Sequence, residues 1–139
     1  MNNPETITLN TNVVKEVAKS VSEPWERIVV HYEVLDSNDN LVQNELTIIV
    51  QKGVDNKHSV TNFVLSDQAK AALLKLRDKN TSESGDKWNT CVLIIDPPGK
   101  FKFDFSYDAP KILNGILDED YKFYSKYLPH YLEEKGLQE

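Results

Sequence analysis

The stretch from Gly99 to Asp108, Gly-Lys-Phe-Lys-Phe-Asp-Phe-Ser-Tyr-Asp, constrains the fold of this chain more than any other. In an extended strand, successive side chains point to opposite faces. Phe101, Phe103, Phe105 and Tyr107 then share one face, and Lys100, Lys102, Asp104, Ser106 and Asp108 share the other. This is the period of a half-buried strand. The aromatic face needs a core, and the charged face needs water or a partner.

Other elements follow from similar patterns. Val14, Val17, Ala18 and Val21 recur at helical spacing behind the capping residues Asn10 to Asn12, predicting a first helix over 10–21 that Pro24 stops. Residues 28–35 are β-rich, with Ile28, Val30, Tyr32 and Val34 on one face. Residues 36–40 are turn-forming. A second strand over 41–51, with Leu46, Ile48 and Val50 on one face, completes a hairpin. A shorter strand is predicted over 59–65. Ser66 then caps a helix with the apolar stripe Ala69, Ala72, Leu73 and Leu76, running to about Lys79. Residues 80–86 read as a flexible loop.

Residues 88–95 read as a strand opened by Trp88 and apolar from Cys91 to Ile95, as in a strand covered on both faces. The turn Asp96-Pro-Pro-Gly99 returns the chain into the aromatic strand, 100–107. Asp118 opens a last helix with the aromatic stripe Tyr121, Tyr124, Tyr127 and Tyr131, which Pro129 kinks or ends; the tail from Glu133 is read as loose. The order α-β-β-β-α-β-β-α predicts one α+β domain over 1–139: an antiparallel sheet of about five strands with helices packed on one face.

Composition narrows function. The chain has 139 residues, the size of one domain, and a net charge of -6 from 16 basic and 22 acidic residues. Nucleic-acid binding needs clustered Lys and Arg, so a basic protein is the better partner. The single cysteine, Cys91, lies in the apolar run and reads as a small buried hydrophobe. The N-terminal residues lack the basic and apolar regions of a signal peptide, and no apolar run approaches the ~18 residues of a membrane span, which places the protein in the cytoplasm, off the membrane.

Catalytic chemistry finds little support. His31, His58 and His130 have no His, Cys or carboxylate at ligand spacing within their own elements, so neither metal nor cofactor is expected. A pair such as Asp96 with Asp104 lies in a turn and on a solvated strand face, unlike the split-pKa carboxylates of a glycosidase cleft. Asp104, Asp108, Asp118, Glu119 and Asp120 form a local acidic concentration broken by Lys111. It reads either as a solubilising face or as a mimic of a phosphate backbone. Trp88 reads as a core anchor, and Trp25 as either an anchor or a partner contact.

Several marks together resemble the YezG-like immunity proteins of bacterial polymorphic toxin and contact-dependent inhibition systems. They are Pro24-Trp25 leading into a strand, the strand opened by Trp88, Gly99-Lys-Phe-Lys-x-Asp-Phe-x-Tyr107, and an acidic stretch running into Lys126-Tyr127-Leu128. The resemblance covers roughly 10–128. Tyr121, Phe123 and Tyr124 stand where the family pattern leads one to expect a tryptophan. It implies a non-enzymatic antitoxin that binds a cognate toxin C-terminal domain, a nuclease, one to one. The acidic character then places the toxin-binding surface at Asp104, Tyr107, Asp108, Asp118, Glu119, Asp120 and Tyr121. The rival surface is the 31–58 hairpin region with Glu33, Glu45 and Asp55. The alternative functions are a homodimeric adaptor pairing through an exposed strand edge and a small carboxylate hydrolase.

Overall fold

The computed structural model describes residues 4–37, 40–115 and 123–139. The elements follow the expected order: α1 (Pro4–Lys19), β1 (Arg27–Ser37), β2 (Asn40–Lys52), β3 (His58–Asn62), α2 (Asp67–Ser84), β4 (Thr90–Asp96), β5 (Lys100–Ser106), a 3-10 turn at Ile112–Asn114, and α3 (Phe123–Glu134). The strands form one antiparallel sheet, β3-β2-β1-β4-β5, with β1 at its centre. None of the described helices is long and apolar enough to cross a membrane.

The alternation of β1 organises both sides of the sheet. Ile28, Val30, Tyr32 and Val34 pack with Val13 and Val17 of α1 and Ala69, Leu73 and Leu76 of α2. Cys91, Leu93 and Ile95 of β4 join them, so the expected burial of Cys91 holds. Burial pushes its thiol pKa up, with the Asp104 charge adding to the effect. The other face of β1 is covered as well. Val29 and Ile48 form a smaller cluster with Tyr127 of α3, flanked by Leu46, Val92 and Ile94. The expectation of helices on one face therefore holds only for α1 and α2, because α3 packs on the opposite face. Leu46 and Ile48 of the predicted stripe serve this second layer.

Two helices are longer than their sequence signals. α1 begins at Pro4, since proline at a first helical position gives up only an N–H that has no intrahelical partner. In α2 the expected cap is present, Ser66 Oγ accepting from Ala69 N at 3.1 Å. The helix then continues through the segment expected to be a loop, to Ser84. Thr81, Ser82 and Ser84 turn their hydroxyls back onto carbonyls of the preceding turn. Thr6 of α1 donates to Glu83 at 2.5 Å, and Gly85, at φ 87°, closes the helix from the left-handed region. Tertiary contact thus overrides weak local propensity.

α3 runs through Pro129 to Glu134, and the tail is held. Glu139 accepts from the backbone N–H of His58 and lies against the His58 ring.

The aromatic strand is oriented as its pattern predicts, but it is an edge strand and its burial is graded. Phe103 and Phe105 pack partly against the main core, whereas Phe101 is 43% exposed. Phe103→Ala is therefore expected to destabilise by less than the ~3–5 kcal/mol of a fully buried ring, and Lys102→Ala by no more than ~0.5 kcal/mol. Urea melts of both variants check the assignment; equal losses would mean that the two faces are misassigned.

Candidate functional site: a polar cavity on the second face of the sheet

The face of the sheet shared with α3 is polar toward the β5 end. Register places His31 and Glu33 of β1 beside Val92 and Thr90 of β4, and these beside Asp104 and Ser106 of β5. The chain leaving β5 crosses back over this face. Between the two lies a cavity of about 410 Å³. Its floor is His31, Glu33, Thr90 and Val92. Its walls are Lys102 and Asp104 from β5, Asp108 and Lys111 from the crossing segment, and Lys126 and His130 from α3.

The floor is held by one carboxylate. Glu33 is 1% exposed, and both of its oxygens are occupied. Oε2 accepts from Ile112 N at 3.1 Å and Oε1 from Leu113 N at 2.9 Å. His31 Nε2 lies 3.2 Å from Oε2. The otherwise unpaired donors at the start of the 3-10 turn thus find a partner in the sheet. Asn114 closes the turn by donating to the Pro110 carbonyl at 2.6 Å. Glu33 positions the crossing segment by accepting these two backbone N–H groups. It is also absent from the surface, so the rival hairpin surface loses one of its three acids. Glu45 is engaged too, accepting from Leu65 N and pairing with Lys70.

The far end of α3 is fixed by a second charged group. Arg27 is 3% exposed and forks onto Asp96, with Nε and Nη2 each 2.7 Å from a carboxylate oxygen. It also bonds Glu134 of α3 and lies 5.0 Å from the centre of the Tyr131 ring. This joins β1, the end of β4 and α3.

The sequence-predicted surface residues are divided between two faces. Asp104 and Asp108 come together on the cavity wall. Tyr107 is 51% exposed and lies across the sheet, in a groove with Thr6, Asn80, Glu83 and Phe105. Asp118, Glu119, Asp120 and Tyr121 lie outside the described residues. Around Asp104 and Asp108 stand Lys102, Lys111 and Lys126, so the wall is mixed in charge. Sequence reasoning placed Glu33 on the rival hairpin surface and assigned neither His31 nor these lysines to a site. The polar alternation of His31 and Glu33 reads as a solvated strand face unless the covering segment is known. Among the described residues, no group of three His, Cys, Asp or Glu is placed to hold a metal ion.

Residues 7–131 match the family model described as Immunity protein YezG-like. The chain belongs to the YezG-like immunity protein family. No curated protein matches the chain. The family match begins in α1 and ends at Tyr131, so it takes in the sheet, both packed layers and every residue named on the cavity wall. The buried groups of this immunity protein, Glu33 beneath the crossing segment and Arg27 beneath α3, hold the second layer in place.

Proposed function

We propose that this immunity protein neutralises a nuclease toxin domain, one to one, by covering or distorting its active site from the acidic surface that follows β5. The toxin is the C-terminal domain of a polymorphic toxin, made by the same cell or delivered by a neighbour, and the encounter takes place in the cytoplasm. The observation that carries the reading is the family match over 7–131. Charge supports the choice of target. A nuclease cleft must be basic to hold phosphates, and this chain has a net charge of -6. Asp104 and Asp108 share one wall, and the chain then adds Asp118, Glu119 and Asp120 before α3. Tyr121 follows these acids in sequence and is the aromatic anchor of this surface, whereas Tyr107 lies across the sheet from Asp104 and Asp108. The protein has no turnover of its own in this reading, binds neither nucleic acid nor membrane, and requires no cofactor.

The test is co-expression with the toxin domain encoded beside its gene, followed by binding kinetics at two salt concentrations. Neutralising Asp118, Glu119 and Asp120 together should slow association and flatten its salt dependence, because rim charges mainly steer encounter. Unchanged rates with full protection of cells would reduce the acidic segment to a solvated face. Hydrolase activity in the purified protein that Asp104→Asn removes without unfolding it would overturn the antitoxin reading altogether.

A further inference from the structure

β5 ends the sheet, and no described residue pairs with its outer side. An edge of this kind offers a row of N–H and C=O groups to a new strand. The carbonyl of Ser106 is turned inward, accepting from Asn89 N at 2.8 Å. Carbonyl directions alternate along a strand, so those of Phe105, Phe103 and Phe101 turn outward. These are also the residues whose rings form a ladder on the helix side, with centroids 5.7 Å apart for Phe101 and Phe103 and 5.5 Å apart for Phe103 and Phe105. The ladder ends at the exposed Phe101.

We propose that a second copy of this chain pairs antiparallel with the outer edge of β5, about a two-fold axis at Phe103, joining two five-stranded sheets into one. The strand is self-complementary about that residue. Phe103 falls opposite Phe103 of the second copy, through the outward backbone groups. Lys102 falls opposite Asp104 of the second copy, and by symmetry Asp104 opposite its Lys102. Phe101 falls opposite Phe105, which extends each aromatic ladder into the other and covers the exposed ring. Lys100 meets Ser106. Moving the axis by one residue places Lys102 against Lys102 or Asp104 against Asp104, and like charges directly opposite each other are destabilising. Antiparallel edge pairing keeps each face of one sheet continuous with the same face of the other. Lysines on an edge strand commonly deter pairing. Here Asp104, two residues along on the same face, gives each lysine an acceptor on the second copy. Seven residues per strand make a small contact, so the dimer is weak and concentration-dependent rather than obligate.

This proposal does not depend on the identity of the toxin, and its test uses none. Sedimentation of the purified full chain over a range of concentrations should show a monomer–dimer equilibrium. Lys102→Asp and Asp104→Lys should each raise the dimer dissociation constant about tenfold, because two cross-strand pairs pass from attraction to repulsion. The double variant K102D/D104K should recover the original value. Both positions are exposed, and thermal melts confirm that each variant is folded. A chain that stays monomeric at every concentration overturns the proposal and leaves the lysines as edge guards. So does a dimer that ignores the single substitutions.

Discussion

Trp88→Ala should lower the unfolding free energy by about 3–5 kcal/mol, the range for removing a large aromatic side chain from a core. Trp88 is fully buried and stands where three parts of the fold meet. Its ring stacks on Phe105 of the edge strand, with centroids 5.4 Å apart. Its indole N–H donates to Asn80 on α2 at 3.1 Å. Its carbonyl accepts from Arg77 Nε at 2.6 Å, and the Arg77 guanidinium lies 5.9 Å from the ring centre. Alanine would keep the carbonyl contact, leave a cavity, and strip Arg77 and Asn80 of their ring partner. Trp88→Phe refills most of the volume but not the N–H and should recover more than half of the loss. Urea denaturation of the three proteins at one pH is the measurement. A loss below about 1 kcal/mol for alanine, the level of an ordinary substitution, would mean that the site collapses around the gap.

What the sequence revealed and what it hid divide along one physical line. The core of the sheet was legible, because period-two alternation is a local signal. It puts Ile28, Val30, Tyr32 and Val34 on one face, and Phe101, Phe103 and Phe105 on one face, as the structure has them. The second layer was not legible. α3 covers the opposite face through Tyr127, and Glu33 ties down the crossing segment that precedes it across separations of 79 and 80 residues. No local pattern encodes that contact. Residues 80–86 hid for a related reason. Their composition favours turns, and their helix is held by hydroxyl bonds to its own carbonyls and by the reach of Thr6 from α1. On the candidate site, the sequence marked the acids of β5. Lys102 and Lys111 stand beside those acids in the sequence, whereas Lys126 of α3 is brought to them only by the fold.

Arg27→Met should destabilise the protein by about 3 kcal/mol at neutral pH, the lower end of the range for breaking a buried charge pair. The lower end applies because Asp96 and Glu134 keep some contact with water, at 16% and 45% side-chain exposure. The effect should also depend on pH. Burial works against the charge on Asp96, but the hydrogen bonds and charge of Arg27 outweigh it and hold the carboxyl below its ordinary value. Glu134 is likewise held low, first by its hydrogen bond from Arg27. A carboxylate with a depressed folded-state pKa stabilises the protein above its unfolded value and loses that contribution as the pH falls through the folded one. Wild-type stability should therefore decline below about pH 4.5, the ordinary value for glutamate, and the variant should decline less, having no guanidinium to stabilise the two carboxylates that acid protonates. The gap between the two proteins narrows in acid. Arg27→Lys separates charge from shape: it keeps the cation, cannot fork onto Asp96, and should fall between them. If the gap were the same at pH 7 and pH 3, the guanidinium would be acting through its packing on Tyr131, and the anchor of α3 would be an aromatic contact rather than an ion pair.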